Sequence, residues 1–121
     1  MHSRRIKNNW HIIKGQPLTE LDKKVLYYQN KGHLVPPRKL IKTAEQIEGI
    51  RRSSVVNTGV LDLVAREIKA GMSTAEIDKL VYDYTVSHGA IPAPLNYEGF
   101  PKSVCTSIDD QVCHGIPSEE V

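Results

Sequence analysis

The residues best suited to chemistry are gathered between positions 89 and 117, in GAIPAPLNYEGFPKSVCTSIDDQVCHGIP. Both cysteines of the chain, Cys105 and Cys113, lie here beside His114. An imidazole titrates near ~6.5, so small shifts make His114 a donor or an acceptor at neutral pH. A thiol held next to it could be drawn into a thiolate, which would make Cys105 a nucleophile. No orienting Asn or Asp is indicated for such a pair, and this argues against a thiol hydrolase.

The elements that must position these groups can be read locally. Residues 103–108 are rich in strand formers, Asp109-Asp110 is a turn signal, and residues 111–114 return before Gly115 and Pro117 stop the run. A two-residue loop pairs 108 with 111 and 105 with 114. Directly opposed residues share a face, so Cys105 and His114 are expected together and Cys113 on the other side, in the core. A one-residue slip reverses this, and Asp-Asp is a weaker turn than Asn-Gly. Ahead of the hairpin, Pro92, Pro94 and Pro101 keep 91–101 irregular. An irregular, aromatic-bearing loop in that place suits a pocket wall, with Tyr97 and Phe100 as its rings. Ordinary core packing is the alternative for both rings.

Three runs carry a family resemblance: AIPAPLNY at 90–97, GFPKSVCTSI at 99–108 and VCHGIP at 112–117. They resemble type I methionine aminopeptidases, and the likeness extends back to about Arg38. The fold this implies is α+β: the first half of a pita-bread fold, two helices packed on an antiparallel sheet. The activity implied is removal of the initiator methionine from nascent proteins when the second residue is small. By the same resemblance His114 hydrogen-bonds the scissile amide, and Tyr97, Phe100 and Cys105 wall the pocket for the methionine side chain. An aromatic, sulfur-lined pocket suits a thioether because both are polarizable and apolar. Asp109 stands where the family usually has Asn, in a loop whose oxygens can hold a monovalent cation; a simple turn aspartate is the alternative. The family uses two divalent ions (Co, Mn, Fe or Zn) as Lewis acids and water activators. Their ligands, two Asp, one His and two Glu, are expected beyond Val121. No H-E-x-x-H is present, so no residue here is named as a catalytic metal ligand. The expectation is a chain inactive by itself, whose half-sheet leaves an apolar face and an unpaired edge that call for a partner.

At 121 residues there is room for one ordinary domain. Two cysteines do not suggest a disulfide framework. No apolar run approaches the ~20 residues of a membrane helix, and no secretory signal is visible. A cytoplasmic location is therefore expected, with an organellar transit peptide as the lesser reading of the basic N-terminus. The net charge of +2 hides an asymmetry, because residues 1–42 hold ten cations against two acids. A basic arm on an acidic body suggests an anionic partner, with ribosomal RNA the candidate for an enzyme acting on nascent chains. A solvated linker is the competing reading. Trp10 is the sole stacking ring of the first twenty residues, which argues against base readout and sequence-specific DNA. The rival functional class is a non-catalytic binding module using this arm.

Residues 1–37 read as a basic extension ending in a Pro-rich linker, and 38–121 as the N-terminal half of a catalytic domain. A short strand is the most that 10–13 could form. Thr19 should cap a helix to Asn30 with Leu21, Val25, Leu26 and Tyr28 apolar, ended by Gly32. Thr43 and Gln46 make a capping box for a long helix ended by Gly71. Its stripe runs through Ile47, Ile50, Ser54, Asn57, Leu61, Val64 and Ile68, or shifts toward Val56 and Val60. Ser73 and Glu76 repeat the capping box. The next helix has Ile77, Leu80, Val81 and Tyr84 inward, Asp78, Lys79 and Asp83 as its wet face, and Gly89 at its end.

Overall fold

The structure is a computed structural model and describes residues 10–121. They divide at Ile47 and Glu48 into two compact units. Three helices form: α1 (Glu20–Asn30), α2 (Ala44–Glu67) and α3 (Thr74–Ser87), with short 3₁₀ turns at Arg38–Leu40 and Tyr97–Gly99. Arg4, Arg5 and Lys7 of the basic arm lie outside the described residues.

The first unit is organised on a polar anchor. Thr19 caps α1, its hydroxyl oxygen accepting from the Asp22 backbone N–H at 3.1 Å. The Asp22 carboxylate accepts in return from the Thr19 N–H at 3.0 Å and the Thr19 hydroxyl at 2.7 Å. Trp10 donates its indole N–H to the same carboxylate at 2.9 Å, and Arg38 forms an ion pair with it. The Arg38 guanidinium also lies 4.4 Å from the Trp10 ring centre and donates to the His11 carbonyl. Trp10 and Asp22 are both buried, while Leu21 and Tyr28 of the expected apolar face are exposed. No strand forms at 10–13. At the other end of α1, Gly32 takes a left-handed φ of 83°. Its N–H bonds to Gln29 and that of His33 to Tyr28, the paired closure that needs a residue without Cβ strain.

In the second unit α2 and α3 each contribute one buried apolar side chain, Val60 and Val81. Ile47, in the first unit, and Ile50, Leu61 and Ile68, in the second, are exposed, so α2 turns the shifted stripe inward. Gly59 explains the shift: a Cβ there would stand 2.1 Å from the Tyr84 hydroxyl, so only glycine lets that ring lie against α2. The helix ends at Glu67, four residues before Gly71. The Ser73–Glu76 capping box opens α3, and Gly89, with φ 72°, closes it. The buried line of α3 is Thr74, Val81 and Thr85, with Asp78 half-buried on the same line. These positions follow helical spacing, and three of the four are polar. The inner face is thus offset from the expected one, and Asp78 leaves the wet face.

The α+β expectation is corrected. Among the described residues there is no strand, and the hairpin at 103–114 is a loop. Two backbone bonds cross it, from the Thr106 N–H to the Gly115 carbonyl at 2.9 Å and, around the turn, from the Gln111 N–H to the Ile108 carbonyl at 3.0 Å. Side chains intercept the neighbouring donors: Ile108 N–H bonds to the Gln111 amide oxygen and Gly115 N–H to the Ser107 hydroxyl. Asp109 and His114 take positive φ, 51° and 59°, which interrupts extended backbone at both places. A lone two-stranded ribbon is marginal without a neighbouring strand, and none is available among the described residues.

Two outcomes test these anchors. Hydrogen bonds from the Thr19 side chain and backbone, then Trp10 and the Arg38 charge, outweigh burial and lower the Asp22 pKa from 3.8 to about 2. A depressed folded-state pKa stabilises above the unfolded value and is lost as pH falls through the folded one. Emission from Trp10, the single tryptophan, should therefore hold steady above pH 4 in its Asp22-dependent part and move to the red between about 3.8 and 2. An Asp22→Asn chain with the same acid transition would contradict this. In the second unit, Gly59→Ala should destabilise by about 1–3 kcal/mol through overpacking. That exceeds the gain in helix propensity of about 1 kcal/mol. Adding Tyr84→Phe should return part of the loss, and a Gly59→Ala melt matching the wild type would refute the close approach.

Candidate functional site

The loop from 92 to 101 builds one wall of a cleft by short-range bonding. Leu95 N–H bonds to the Pro92 carbonyl, Tyr97 N–H to Pro94, and Phe100 N–H to Tyr97. Asn96 N–H closes the loop on the Phe100 carbonyl at 2.8 Å. Asn96, Glu98 and Gly99 all take positive φ, at 63°, 48° and 84°. Two of these are not glycine, so the loop holds backbone strain that its surroundings must offset. Consecutive reversals of this kind present Tyr97 and Phe100 from a tight coil.

The loop at 105–116 supplies the facing wall. Tyr97, Phe100, Cys105 and His114 line a single cleft of about 690 Å³. Two loops thus bring together the side chains that the sequence reading grouped. Cys113 does not line the cleft; it is exposed, which corrects its assignment to the core. Asp109 sits at the exposed turn and is likewise not a lining residue. Sequence reasoning passed over Glu98, Pro94 and Ile116, which also line the cleft. For Glu98 the one available signal was its place between two rings in a Pro-flanked loop.

The lining is chiefly apolar, with the His114 imidazole, the Tyr97 phenol, the Cys105 thiol and the Glu98 carboxylate as its functional groups. Tyr97 is 68% exposed, so the cleft is open on that side. An open apolar recess edged by a donor–acceptor ring and one acid can hold an uncharged, flexible side chain and orient a polar group at its mouth. Gly115 keeps the two arms close. A Cβ there would lie 2.2 Å from the Thr106 carbonyl oxygen, so the bond beside His114 exists only with glycine at 115.

Both arms are tied to α3. The Asp78 carboxylate accepts the Ser103 N–H at 2.6 Å. The Thr74 hydroxyl donates to the Ser118 carbonyl and accepts the Ser118 N–H, at 3.1 and 2.9 Å. The first N–H groups of α3, which have no partner within the helix, go to the carbonyls of Val121 and Ser118. Among the described residues no three His, Cys, Asp or Glu side chains gather where a metal ion could be held. The divalent pair implied by resemblance finds no fitting ligand set in them, and no step below passes through it.

Comparison with known proteins agrees with the motif runs. The model of metallopeptidase family M24 matches residues 48–121. Methionine aminopeptidase 1D, mitochondrial, of Danio rerio is 49% identical over 77 residues, covering 64% of this chain and 23% of the relative. Methionine aminopeptidase 1 of Saccharomyces cerevisiae is 43% identical over 77 residues, covering 64% and 20%. The crystal structure of methionine aminopeptidase from Rickettsia prowazekii superposes with a TM-score of 0.56 at 41% identity, over 65% of this chain and 33% of that one. The chain thus spans about a fifth to a quarter of the curated relatives it matches. On a family match that takes in the whole second unit, and with it the cleft, the chain belongs to metallopeptidase family M24.

Proposed function

We propose that the cleft receives the N-terminal methionine of a polypeptide, as the substrate-binding portion of a methionyl aminopeptidase that removes initiator methionine before a small second residue. The single observation carrying this reading is that Tyr97, Phe100, Cys105 and His114 line one recess. The rings and the thiol give the methionine thioether polarizable, apolar contact. His114 stands at the edge as hydrogen-bond partner for the scissile amide, able to accept from its N–H or donate to its carbonyl according to tautomer. Hydrolysis in this reading depends on two divalent ions, which would supply Lewis acidity and an activated water.

In the same reading the exposed lysines of the first unit, among them Lys14, Lys24, Lys39 and Lys42, offer a non-specific contact to an anionic partner such as ribosomal RNA. Trp10 is buried under Arg38, which leaves that contact to charge rather than to stacking by this ring.

Peptide protection tests the cleft. A Met-Ala-Ser peptide should slow alkylation of Cys105 severalfold and leave exposed Cys113 unaffected, whereas Asp-Ala-Ser should protect neither. Equal alkylation of Cys105 with and without the methionine peptide would end the proposal. With cobalt or manganese added, the 121-residue chain should bind the peptide and release no methionine; released methionine would show that its own residues suffice for hydrolysis. A Gly115→Ala chain should lose protection by roughly tenfold in affinity, a difference of about 1.4 kcal/mol, if the Thr106–Gly115 closure sets the place of His114.

A further inference from the structure

We propose that Thr74 and Asp78, one turn apart on α3, are positioning residues that set the spacing of the two arms of the cleft's 105–116 wall, and so of Cys105 and His114. The inference rests on reading that cleft as the methionine site, and assigns its geometry to side chains outside it. Residues four apart on a helix lie on one face, so a hydroxyl and a carboxylate are presented side by side. Asp78 takes the Ser103 N–H at 2.6 Å, two residues before Cys105. Thr74 grips Ser118 through both its N–H and its carbonyl, two residues after Ile116 and four after His114.

Each arm of that wall is therefore a few bonds from a strut on the same rigid helix. Thr74 is 7% exposed and Ser103, held by the half-buried Asp78, is 4% exposed. Between Ser103 and Ser118 the chain runs out and back with two backbone bonds across it, Thr106 to Gly115 and Gln111 to Ile108, too few to define the spacing of the arms alone. A hydrogen bond to a carboxylate is shorter and stronger than one to a neutral acceptor, which suits Asp78 to hold the arm that carries Cys105. Thr74 has both hydrogen-bonding capacities of its hydroxyl committed to one residue, so Ser118 cannot slide along α3 without breaking two bonds. Neither side chain lines the cleft, so each acts through Cys105 or His114.

The experiment is the ratio of alkylation rates at Cys105 and Cys113 in the full chain without peptide, with the His114 ring proton shifts followed by NMR and helix content by circular dichroism. Asp78→Ala should change the rate ratio by roughly threefold or more, and Thr74→Val should move the His114 resonances, as expected when a buried hydrogen-bond partner is removed. Asp78→Asn and Thr74→Ser keep an acceptor and a hydroxyl and should restore wild-type values. If Asp78→Ala loses its helix signal, Asp78→Glu decides: the longer side chain should alter the ratio with helices intact. An unchanged ratio and unchanged His114 shifts in helical variants, or failure of the conservative pair to restore them, would overturn the proposal. Because no peptide is present, this result is independent of whether methionine peptides protect Cys105.

Discussion

The second unit depends on the face of α3 that carries Thr74, Asp78, Val81 and Thr85. Two of these side chains reach out of the helix to bind backbone: Asp78 holds Ser103 and Thr74 holds Ser118. The segments they hold contain no regular structure, and the few hydrogen bonds within them tie the loop to itself and not to the rest of the unit. A helix supplies what a loop lacks, a rigid spacing between attachment points. The carbonyls of Ser118 and Val121 in turn satisfy the first amides of α3, which makes the support mutual.

Both units place polar groups where a larger domain would place aliphatic ones. In the first, a carboxylate is buried against an indole, a hydroxyl and a guanidinium. In the second, Thr74, Thr85 and Ser103 are as buried as Val60 and Val81. Thr85 satisfies its hydroxyl on the Val81 carbonyl at 2.7 Å, so this polarity is accommodated within the helix. Directional bonds define geometry more sharply than apolar contact, yet each contributes only on the order of 1 kcal/mol net. The outcome is an architecture with well-specified contacts and a thin apolar core. The many exposed aliphatic side chains, Val112 at 97% and Ile91 at 82% among them, express the same shortage of buried area.

The cleft follows from these constraints. Its walls come from a strained, proline-flanked coil and from a loop whose donors are captured by Gln111 and Ser107 side chains. Backbone in left-handed conformations at Asn96, Glu98 and His114 aims side chains that an extended chain would alternate between faces. His114 and Cys105 share the recess with the Thr106–Gly115 bond between their arms, without a ladder of strand pairing.

Local chemistry was legible in the residue order. Thr19, Thr43 and Ser73 announce their helices because a hydroxyl three residues before an acid or amide satisfies amides that no helix can pair internally. Gly32 and Gly89 end helices because only glycine takes their backbone angles without strain. The motif runs around Tyr97, Phe100, Cys105 and His114 likewise named side chains that meet in one recess. Tertiary structure alone decided which face of α2 turns inward, because that depends on the Tyr84 ring approaching Gly59 from another helix. It alone decided that Asp78 is a strut, since its partner is 25 residues away. It also decided that 103–114 forms no ladder, because a strand is stable only beside a neighbour, and whether a neighbour exists is not written in the strand itself.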